Sequence, residues 1–365
     1  MKSSDLRRDV GQLVIMGFTG AEMTSPLRVV LRAIQPGGVI LFARNITGAR
    51  QTWQLLDECS QAVRERLFRC VDLEGGTVDR LRDVMAHAPA AADVFATGDR
   101  KLFRRHGRVI GDEVRALGFN TDFAPVFDLA LPPSQRVLTT RSVSADPKET
   151  VAYAREFLRG LADARVLGCG KHFPGLGEAS LDTHKELPSI SKRWKALWRE
   201  DLFPYRELRK QFAFCMVAHA NYPDVTRDKL PASLSRKWLD RILRGKIGYD
   251  GLALSDDLEM GGVLAAASIG DAAIQTLRAG ADLFLVCHNE EQVWRAYEAV
   301  LHEAERDRKF ARLVAKRAER LRRFKKRARE LKIAADAPTA RSIARLKDAM
   351  RRFTAEVHAY GAERL

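Results

Sequence analysis

Cysteine is sparse in this sequence, and its arrangement forms no recognisable site. The 365 residues include five cysteines, an odd number at wide spacings, and no CxxC pair. That pattern excludes the common zinc and redox motifs, and no other metal-ligand spacing is present, so we predict neither a metal nor a cofactor. Because most of these thiols lie inside apolar runs, a reduced, cytoplasmic protein is the simplest interpretation.

Long apolar segments are also missing. No run reaches the roughly 18 apolar residues that a membrane span requires. The first apolar run, Leu13 to Phe18, is too short for the core of a signal peptide. We therefore expect a protein that is neither exported nor embedded in a membrane, and we expect it to be a monomer.

Positive charge is distributed unevenly along the chain. Lysine and arginine number 62 against 47 aspartates and glutamates, which gives a formal net charge of +15. Residues 301–365 hold 20 of the basic and nine of the acidic residues, a net +11, so the first 300 residues carry only +4. A nucleic-acid partner is one interpretation of this tail. We favour an amphipathic helix that covers the rest of the fold.

Eight short apolar runs alternate with longer amphipathic segments. The runs are apolar throughout rather than at every second position, which is typical of strands buried on both faces. Eight such units over about 290 residues predict a (β/α)8 TIM-type barrel over 1–332, followed by a basic helical extension over 333–365. An open doubly wound sheet is the alternative, which the lack of GxGxxG after the first run disfavours. The runs occupy 12–18, 37–43, 67–74, 121–128, 166–173, 212–219, 251–257 and 282–288.

Polar side chains collect where several of these runs end. Because active sites of α/β barrels lie at the C-terminal ends of the strands, we predict the site there. Adjacent residues point to opposite faces of a strand, so at most one of Asp256 and Asp257 should face the barrel mouth. His219 either lines the site or is a hydrogen-bonded core residue. The polar residues at strand ends are Asp72, Glu74, Lys171, His172, His219, Ser255, Asp256 and Asp257.

A glycine-rich loop follows the fifth run and leads to a second candidate group. Asp182 lies two positions before His184 in this loop. An aspartate at that spacing can orient an imidazole and raise its pKa, as a general acid/base requires. A surface turn beside a solvated histidine fits the same residues, so the spacing alone leaves both interpretations open.

Taken together, these segments resemble the single-domain bacterial β-N-acetylhexosaminidases of glycoside hydrolase family 3. The KHFPG…DTH and SDDLEM pair is the most specific part of the resemblance, whereas GGVILF or PASLS alone would be weak. The matching stretches occur in family order from residue 11 to about residue 332: GQLVIMGF, GGVILFARNI, VDLEGGTVDRL, NTDFAPVFD, TTRSVSADP, KHFPGLGEASLDTH, PASLS and GYDGLALSDDLEM.

The resemblance implies a retaining exo-β-N-acetylglucosaminidase that forms a covalent glycosyl-enzyme intermediate and needs no cofactor. Asp256 matches the family's nucleophile, His184 its acid/base, and Asp182 the residue that holds this histidine. The implied substrate is a small carbohydrate with a terminal N-acetylglucosamine, released from peptidoglycan muropeptides. The positions implied to bind the sugar are Asp72, Arg80, Arg141, Lys171 and His172.

Three positions depart from the family's usual pattern and leave the preferred sugar and aglycone open. Leu73, Thr77 and Leu176 stand where polar residues are common. A β-glucosidase of the same family is therefore an alternative. A glycoside phosphorylase is another, because a histidine acid/base avoids the repulsion that a carboxylate would present to phosphate. Nucleic-acid binding through the tail, without enzymatic activity, is the remaining alternative.

Overall fold

A computed structural model describes residues 3–179, 181, 186–333 and 335–362 of the chain. Its ten strands are short, and eight of them form one parallel sheet. The strands are β1 Val14–Met16, β2 Gly38–Ile40, β3 Phe68–Val71, β4 Leu73–Gly75, β5 Val78–Asp79, β6 Thr121–Asp122, β7 Cys169–Phe173, β8 Phe214–Val217, β9 Leu252–Asp257 and β10 Leu283–Val286.

The parallel sheet curls into a barrel. The strand order is β6-β3-β2-β1-β10-β9-β8-β7. Parallel bridges between Thr121 and Leu167 and between Val126 and Lys171 join the two ends of that order. Each of the eight apolar runs contains one barrel strand, so the predicted (β/α)8 architecture is confirmed. The antiparallel hairpin of β4 and β5 lies outside the barrel and follows β3 directly.

Helices alternate with the barrel strands and cover their outer side. Asp146 caps α7, since its Oδ1 accepts a hydrogen bond from the Lys148 amide and Pro147 occupies the first helical turn. A π-helix spans Lys237–Lys246. The α-helices are α1 Ser3–Gln12, α2 Ser25–Ile34, α3 Ala49–Ala62, α4 Ala91–Ala96, α5 Arg100–Ala116, α6 Gln135–Leu138, α7 Pro147–Asp163, α8 Trp194–Arg199, α9 Phe203–Leu208, α10 Pro223–Thr226, α11 Gly261–Leu264, α12 Ile269–Ala279, α13 Glu290–Arg306, α14 Arg308–Arg327 and α15 Ala340–Ala362.

Helix α14 closes the end of the barrel at which the strands begin. Its Phe324 ring lies 6.1 Å from the ring of Phe68 and 6.2 Å from that of Phe214, the first residues of β3 and β8. Leu321 is buried in the same cluster, inside the barrel. Burial of these apolar side chains inside that end of the barrel holds α14 across the opening.

Most of the tail's positive charge lies on α14. That helix carries eleven lysines and arginines and one glutamate, whereas residues 333–365 carry six basic and four acidic residues. Helix α15 lies on the outside of the barrel against α4 and α5. Among the described residues, no helix combines the length and apolar character needed to cross a membrane.

Candidate active site

A cavity of about 540 Å³ opens at the C-terminal ends of the barrel strands. Because the strands are parallel, the residues that end them meet around this opening. All six sequence-predicted site residues that the structure describes line it. They are Asp72, Arg80, Arg141, Lys171, His172 and Asp256. The predicted pair Asp182 and His184 lies outside the described residues.

Two carboxylates and two cations form the polar floor of this cavity. Lys171 Nζ lies 2.9 Å from Asp72 Oδ1 and 2.6 Å from Glu74 Oε1. Arg141 donates two hydrogen bonds to Glu74, of 2.7 and 2.9 Å, in the fork geometry that guanidinium favours. Glu74 therefore ties Arg141 to Lys171 of β7.

The buried members of this network hold one another in their charged forms. Burial alone would raise the pKa of Glu74, but Arg141 and Lys171 hold it well below its usual range. Burial likewise acts to lower the pKa of Lys171, yet Asp72 and Glu74 raise it above its usual value. The floor thus offers fixed charges that a bound hydroxyl or amide group can meet without reorganisation.

His172 is held by Asp128, which follows the strand next to β7 in the barrel. The ring Nδ1 lies 2.7 Å from Asp128 Oδ2, and Arg141 Nη2 lies 3.4 Å from the ring Nε2. Asp128 also accepts hydrogen bonds from the backbone amides of His172 and Leu176. The carboxylate thereby fixes both the imidazole orientation and the start of the following loop.

Asp256 and Asp257 both line the cavity. Their carboxylates are nevertheless used differently. Asp257 Oδ1 accepts hydrogen bonds from the Glu259 and Cys287 amides, and its Oδ2 lies 2.9 Å from His288 Nδ1. Asp256 Oδ1 accepts the Asp257 amide at 2.9 Å. Both carboxylate oxygens of Asp257 are therefore bonded to neighbouring groups of the protein.

Cationic side chains surround the Phe42 ring at the cavity wall. The guanidinium carbons of Arg44 and Arg80 lie 4.7 and 5.6 Å from its centroid. The His288 ring stacks on it at 5.5 Å, and Asp257 and Glu259 raise the pKa of this histidine to about 9. Arg80 Nε is buried with no hydrogen-bond partner among the described residues, so this donor is available to a ligand.

Asp257, Glu259 and His288 are the described residues that could hold a metal ion. One ligand atom from each lies within 4.8 Å of the others. All three side chains are already bonded to one another or to backbone amides. The arrangement is that of a closed ion-pair cluster at the cavity wall.

His219 is a core residue rather than part of the site. Its Nδ1 lies 2.7 Å from the Ser233 hydroxyl and its Nε2 lies 2.9 Å from the Asp257 carbonyl oxygen. Burial lowers the pKa of this fully buried ring. Of the two interpretations left open by the sequence, the hydrogen-bonded core histidine is the one observed.

Comparison with known proteins agrees with this geometry. A family profile described as the glycosyl hydrolase family 3 N terminal domain matches residues 5–324. The chain belongs to glycoside hydrolase family 3. This hydrolase is 37% identical over 291 residues to the Beta-hexosaminidase of Pseudomonas aeruginosa (strain UCBPP-PA14), covering 79% of this chain and 86% of that protein. It is 38% identical over 286 residues to the Beta-hexosaminidase of Bordetella avium (strain 197N), covering 76% and 81%.

Solved structures of the family share most of this chain's fold. A glycoside hydrolase family 3 β-N-acetylglucosaminidase from Paenibacillus sp. str. FPU-7 superimposes with a TM-score of 0.90 at 33% identity, over 95% of this chain and 68% of that one. The β-N-acetylhexosaminidase from Beutenbergia cavernae DSM 12333 gives a TM-score of 0.79 at 27% identity, over 87% and 97%.

The three departures of this glycoside hydrolase occupy different environments. Leu176 lines the cavity, and Leu73 is fully buried in β4, where its amide donates to Asp122. Thr77 is exposed in the β4–β5 turn. Leu176 is therefore the departure that meets the cavity.

Sequence reasoning missed two residues that organise the site. Glu74 was noted at a strand end without a role, yet it binds both Arg141 and Lys171. Asp128 ends the fourth apolar run and holds His172. The only signal for either was an acidic residue at the end of an apolar run, because partners 44 to 97 positions apart in sequence are brought together only by the closed barrel.

Proposed function

We propose that this glycoside hydrolase is a retaining exo-β-N-acetylglucosaminidase that releases a terminal N-acetylglucosamine. The observation that carries the proposal is the fixed network of Asp72, Glu74, Arg141 and Lys171 in the same cavity as Asp256. Relatives named Beta-hexosaminidase, 37 and 38% identical to this chain, support it.

In the proposed first step, an Asp256 carboxylate oxygen bonds to the anomeric carbon while the bond from that carbon to the glycosidic oxygen breaks. His184, oriented by Asp182, gives its proton to the leaving oxygen. In the second step a water oxygen bonds to the same carbon, His184 takes a proton from that water, and the bond from the carbon to the Asp256 carboxylate breaks. The sugar thus receives the hydroxyl group with retained stereochemistry.

The polar floor would hold the sugar during both steps. We assign Asp72 to accept hydrogen bonds from ring hydroxyls, and Arg80, Arg141, Lys171 and His172 to donate to hydroxyls or to the acetamido oxygen. The cavity lining also includes apolar side chains, which suit an acetamido methyl group because a methyl loses water there without leaving a polar atom unpaired. Val137, Leu138, Leu176 and Met260 are among them.

Hydrolysis of an aryl N-acetyl-β-glucosaminide, compared with the matching aryl β-glucoside, tests the proposal. We expect the N-acetyl substrate to be preferred and Asp256→Ala to lower kcat/KM at least about a thousandfold. Asp250→Ala removes an exposed carboxylate near the other end of the same strand and serves as the control. Absence of wild-type hydrolysis would contradict the proposal, and full activity of Asp256→Ala would contradict the nucleophile.

Two further outcomes separate the alternatives. Turnover that depends on added phosphate and yields a sugar phosphate would identify a phosphorylase, and preference for the glucoside would identify a β-glucosidase. We also propose that the enzyme acts as a monomer in the cytoplasm on muropeptide fragments, with a catalytic barrel over 1–332 and an extension over 333–365. Five free, buried cysteines fit a reducing compartment.

A further inference from the structure

Helix α15 is fastened to α5 along one face. Met350, Phe353 and Val357, spaced three and four residues apart, are almost completely buried. Arg105 of α5 pairs with Glu356 at 2.5 Å, and its guanidinium lies 5.4 Å from the Phe353 ring centroid. This part of the tail is thus an integral layer of the molecule.

Phe353 rests on a buried histidine. Its ring stacks on the His106 imidazole with centroids 5.7 Å apart and an interplanar angle of 26°. His106 Nδ1 lies 2.8 Å from the Tyr153 hydroxyl. Burial lowers the pKa of His106 to about 3, so the ring is a neutral element between α15 and the interior.

The inner side of His106 meets the turn of the β4–β5 hairpin. Gly75 has φ +84°, and a Cβ atom there would lie 2.1 Å from the Pro89 carbonyl oxygen and 3.3 Å from His106 Nε2. The approach is so close that only glycine fits. The Gly75 turn therefore packs against the Pro89 carbonyl group and lies beside His106 Nε2.

A second set of contacts joins α15 to the same hairpin. Thr354 Oγ1 donates to the His87 carbonyl oxygen at 3.4 Å. The neighbouring Ala88 accepts a hydrogen bond from the Gly76 amide at 3.0 Å and donates to Asp79 Oδ2 at 3.1 Å. Segment 85–90 is thus held between the helix and the hairpin.

Gly75 directly follows Glu74, the residue that binds Arg141 and Lys171. We infer that α15 is a positioning element of the active site, in which Phe353 acts through His106 and the Gly75 turn to fix Glu74 and, with it, the substrate-binding Arg141 and Lys171. The inference rests on the proposed function for the roles of these two cations. It assigns to the tail a task in sugar binding.

The test compares Phe353→Ala with Met350→Ala in the full chain. Both remove a fully buried apolar side chain from the same helix face. We expect Phe353→Ala to raise KM for the aryl N-acetyl-β-glucosaminide about tenfold with kcat changed less than about threefold, because it weakens ground-state and transition-state binding alike. Met350→Ala should leave KM within about twofold at a comparable loss of thermal stability.

Hydrogen exchange gives a readout that does not depend on substrate. The amides of residues 73–79 should lose protection in Phe353→Ala and keep it in Met350→Ala. Phe353→Tyr, which keeps the stacked ring, should restore both protection and KM. If Phe353→Ala does not fold, Phe353→Leu replaces it under the same criteria.

Two results would overturn the inference. One is unchanged hairpin protection and unchanged KM in a folded Phe353 variant, and the other is equal effects of the Phe353 and Met350 variants. An inactive wild type would count against the proposed function alone, since the exchange comparison still decides whether α15 holds the hairpin.

Discussion

At the scale of single residues, Glu74 connects the side chains that we propose to bind the sugar, Arg141 and Lys171, to the fold. Its carboxylate is 3% exposed and meets Arg141 and Lys171, which are also largely buried. Glu74 pairs with both cations, so its loss removes a counter-ion from Arg141 and leaves Lys171 with Asp72 alone. Such networks are costly to break by removing one partner.

Glu74→Gln should therefore lower both stability and activity. Two buried cations would lose a counter-ion, and we expect the free energy of unfolding to fall by about 3–5 kcal/mol. We also expect kcat/KM to fall at least about tenfold, because Arg141 and Lys171 lose their fixed positions. Urea unfolding and aryl glycoside kinetics measure these effects, with Glu22→Gln at an exposed site as the control. A change below about 1 kcal/mol would contradict the role of Glu74.

Glu113 is a buried acid whose protonation makes stability depend on pH. Burial, followed by the nearby Asp79, raises its pKa to about 9, with Lys347 opposing and Asp112 adding to the shift. The folded state therefore binds a proton that the unfolded state releases above its ordinary pKa of 4.5. This contribution is present in full at low pH and decreases as pH rises from about 4.5 to about 9.

Glu113→Gln should remove that dependence. At pH 7 we expect the variant to be more stable than the wild type by up to about 3 kcal/mol, and the two should converge near pH 4.5. Urea unfolding of both proteins between pH 5 and pH 8 measures the difference. A stability difference that does not grow with pH would show that the carboxyl group is ionised in the folded state.

At the scale of elements, Lys192 fastens the loop that follows β7. This buried lysine lies 3.2 Å from Glu178, 2.9 Å from Glu200 and 2.7 Å from Asp201. Glu178 and Lys192 stand on either side of the sequence that contains Asp182 and His184. Joining the two ends of a segment reduces the conformations open to the chain between them.

Lys192→Met should impair the proposed acid step more than the proposed attack of Asp256. We expect kcat/KM to fall at least about tenfold for an aryl glycoside whose leaving group needs protonation. The fall should be much smaller for a dinitrophenyl glycoside, because dinitrophenolate departs without being protonated. Lys192→Arg, which keeps the charge, should lie between wild type and Lys192→Met. Equal losses on both substrates would indicate general destabilisation instead.

At the scale of the whole molecule, part of the tail's positive charge points inward. The fully buried Asp282, just before β10, pairs with Arg244 of the π-helix and with Arg317 and Arg320 of α14, at 2.5, 3.4 and 3.2 Å. It also accepts a hydrogen bond from the Ala253 amide in β9. One carboxylate thus joins α14 to the barrel wall.

Asp282→Asn should loosen the closure of the barrel. Three partly buried arginines would lose their shared counter-ion, and we expect the free energy of unfolding to fall by about 3–5 kcal/mol. Asp240→Asn, which breaks an exposed pair with Arg236, should cost less than about 1 kcal/mol. Denaturant unfolding measures the free energy of unfolding of both variants. Similar decreases in the two would show that the Asp282 ion pairs do not stabilise this end of the barrel.

The sequence alone predicted most of the barrel strands, but fewer of the residues that organise the site. The apolar runs around Val14, Phe68 and Leu252 marked strands because burial on both faces leaves a continuous apolar signature. The β4–β5 hairpin gave no such signal, since its strands are two or three residues long and one of them follows β3 after a single residue. The cavity-lining Phe42 lies within the matching stretch GGVILFARNI and His288 at the end of the last apolar run, but neither position indicated a role.

The sequence by itself determined that this chain forms a (β/α)8 barrel and which polar residues end its strands. Hydrophobic periodicity and local motifs depend on residues that are close along the chain, and these are visible in the sequence. Only the tertiary structure decided that Glu74 serves Arg141 and Lys171, that Asp128 holds His172, and that the tail reaches the hairpin through Phe353 and His106. These pairings join residues far apart in sequence, which closure of the barrel and the packing of α15 against its outer helices bring together.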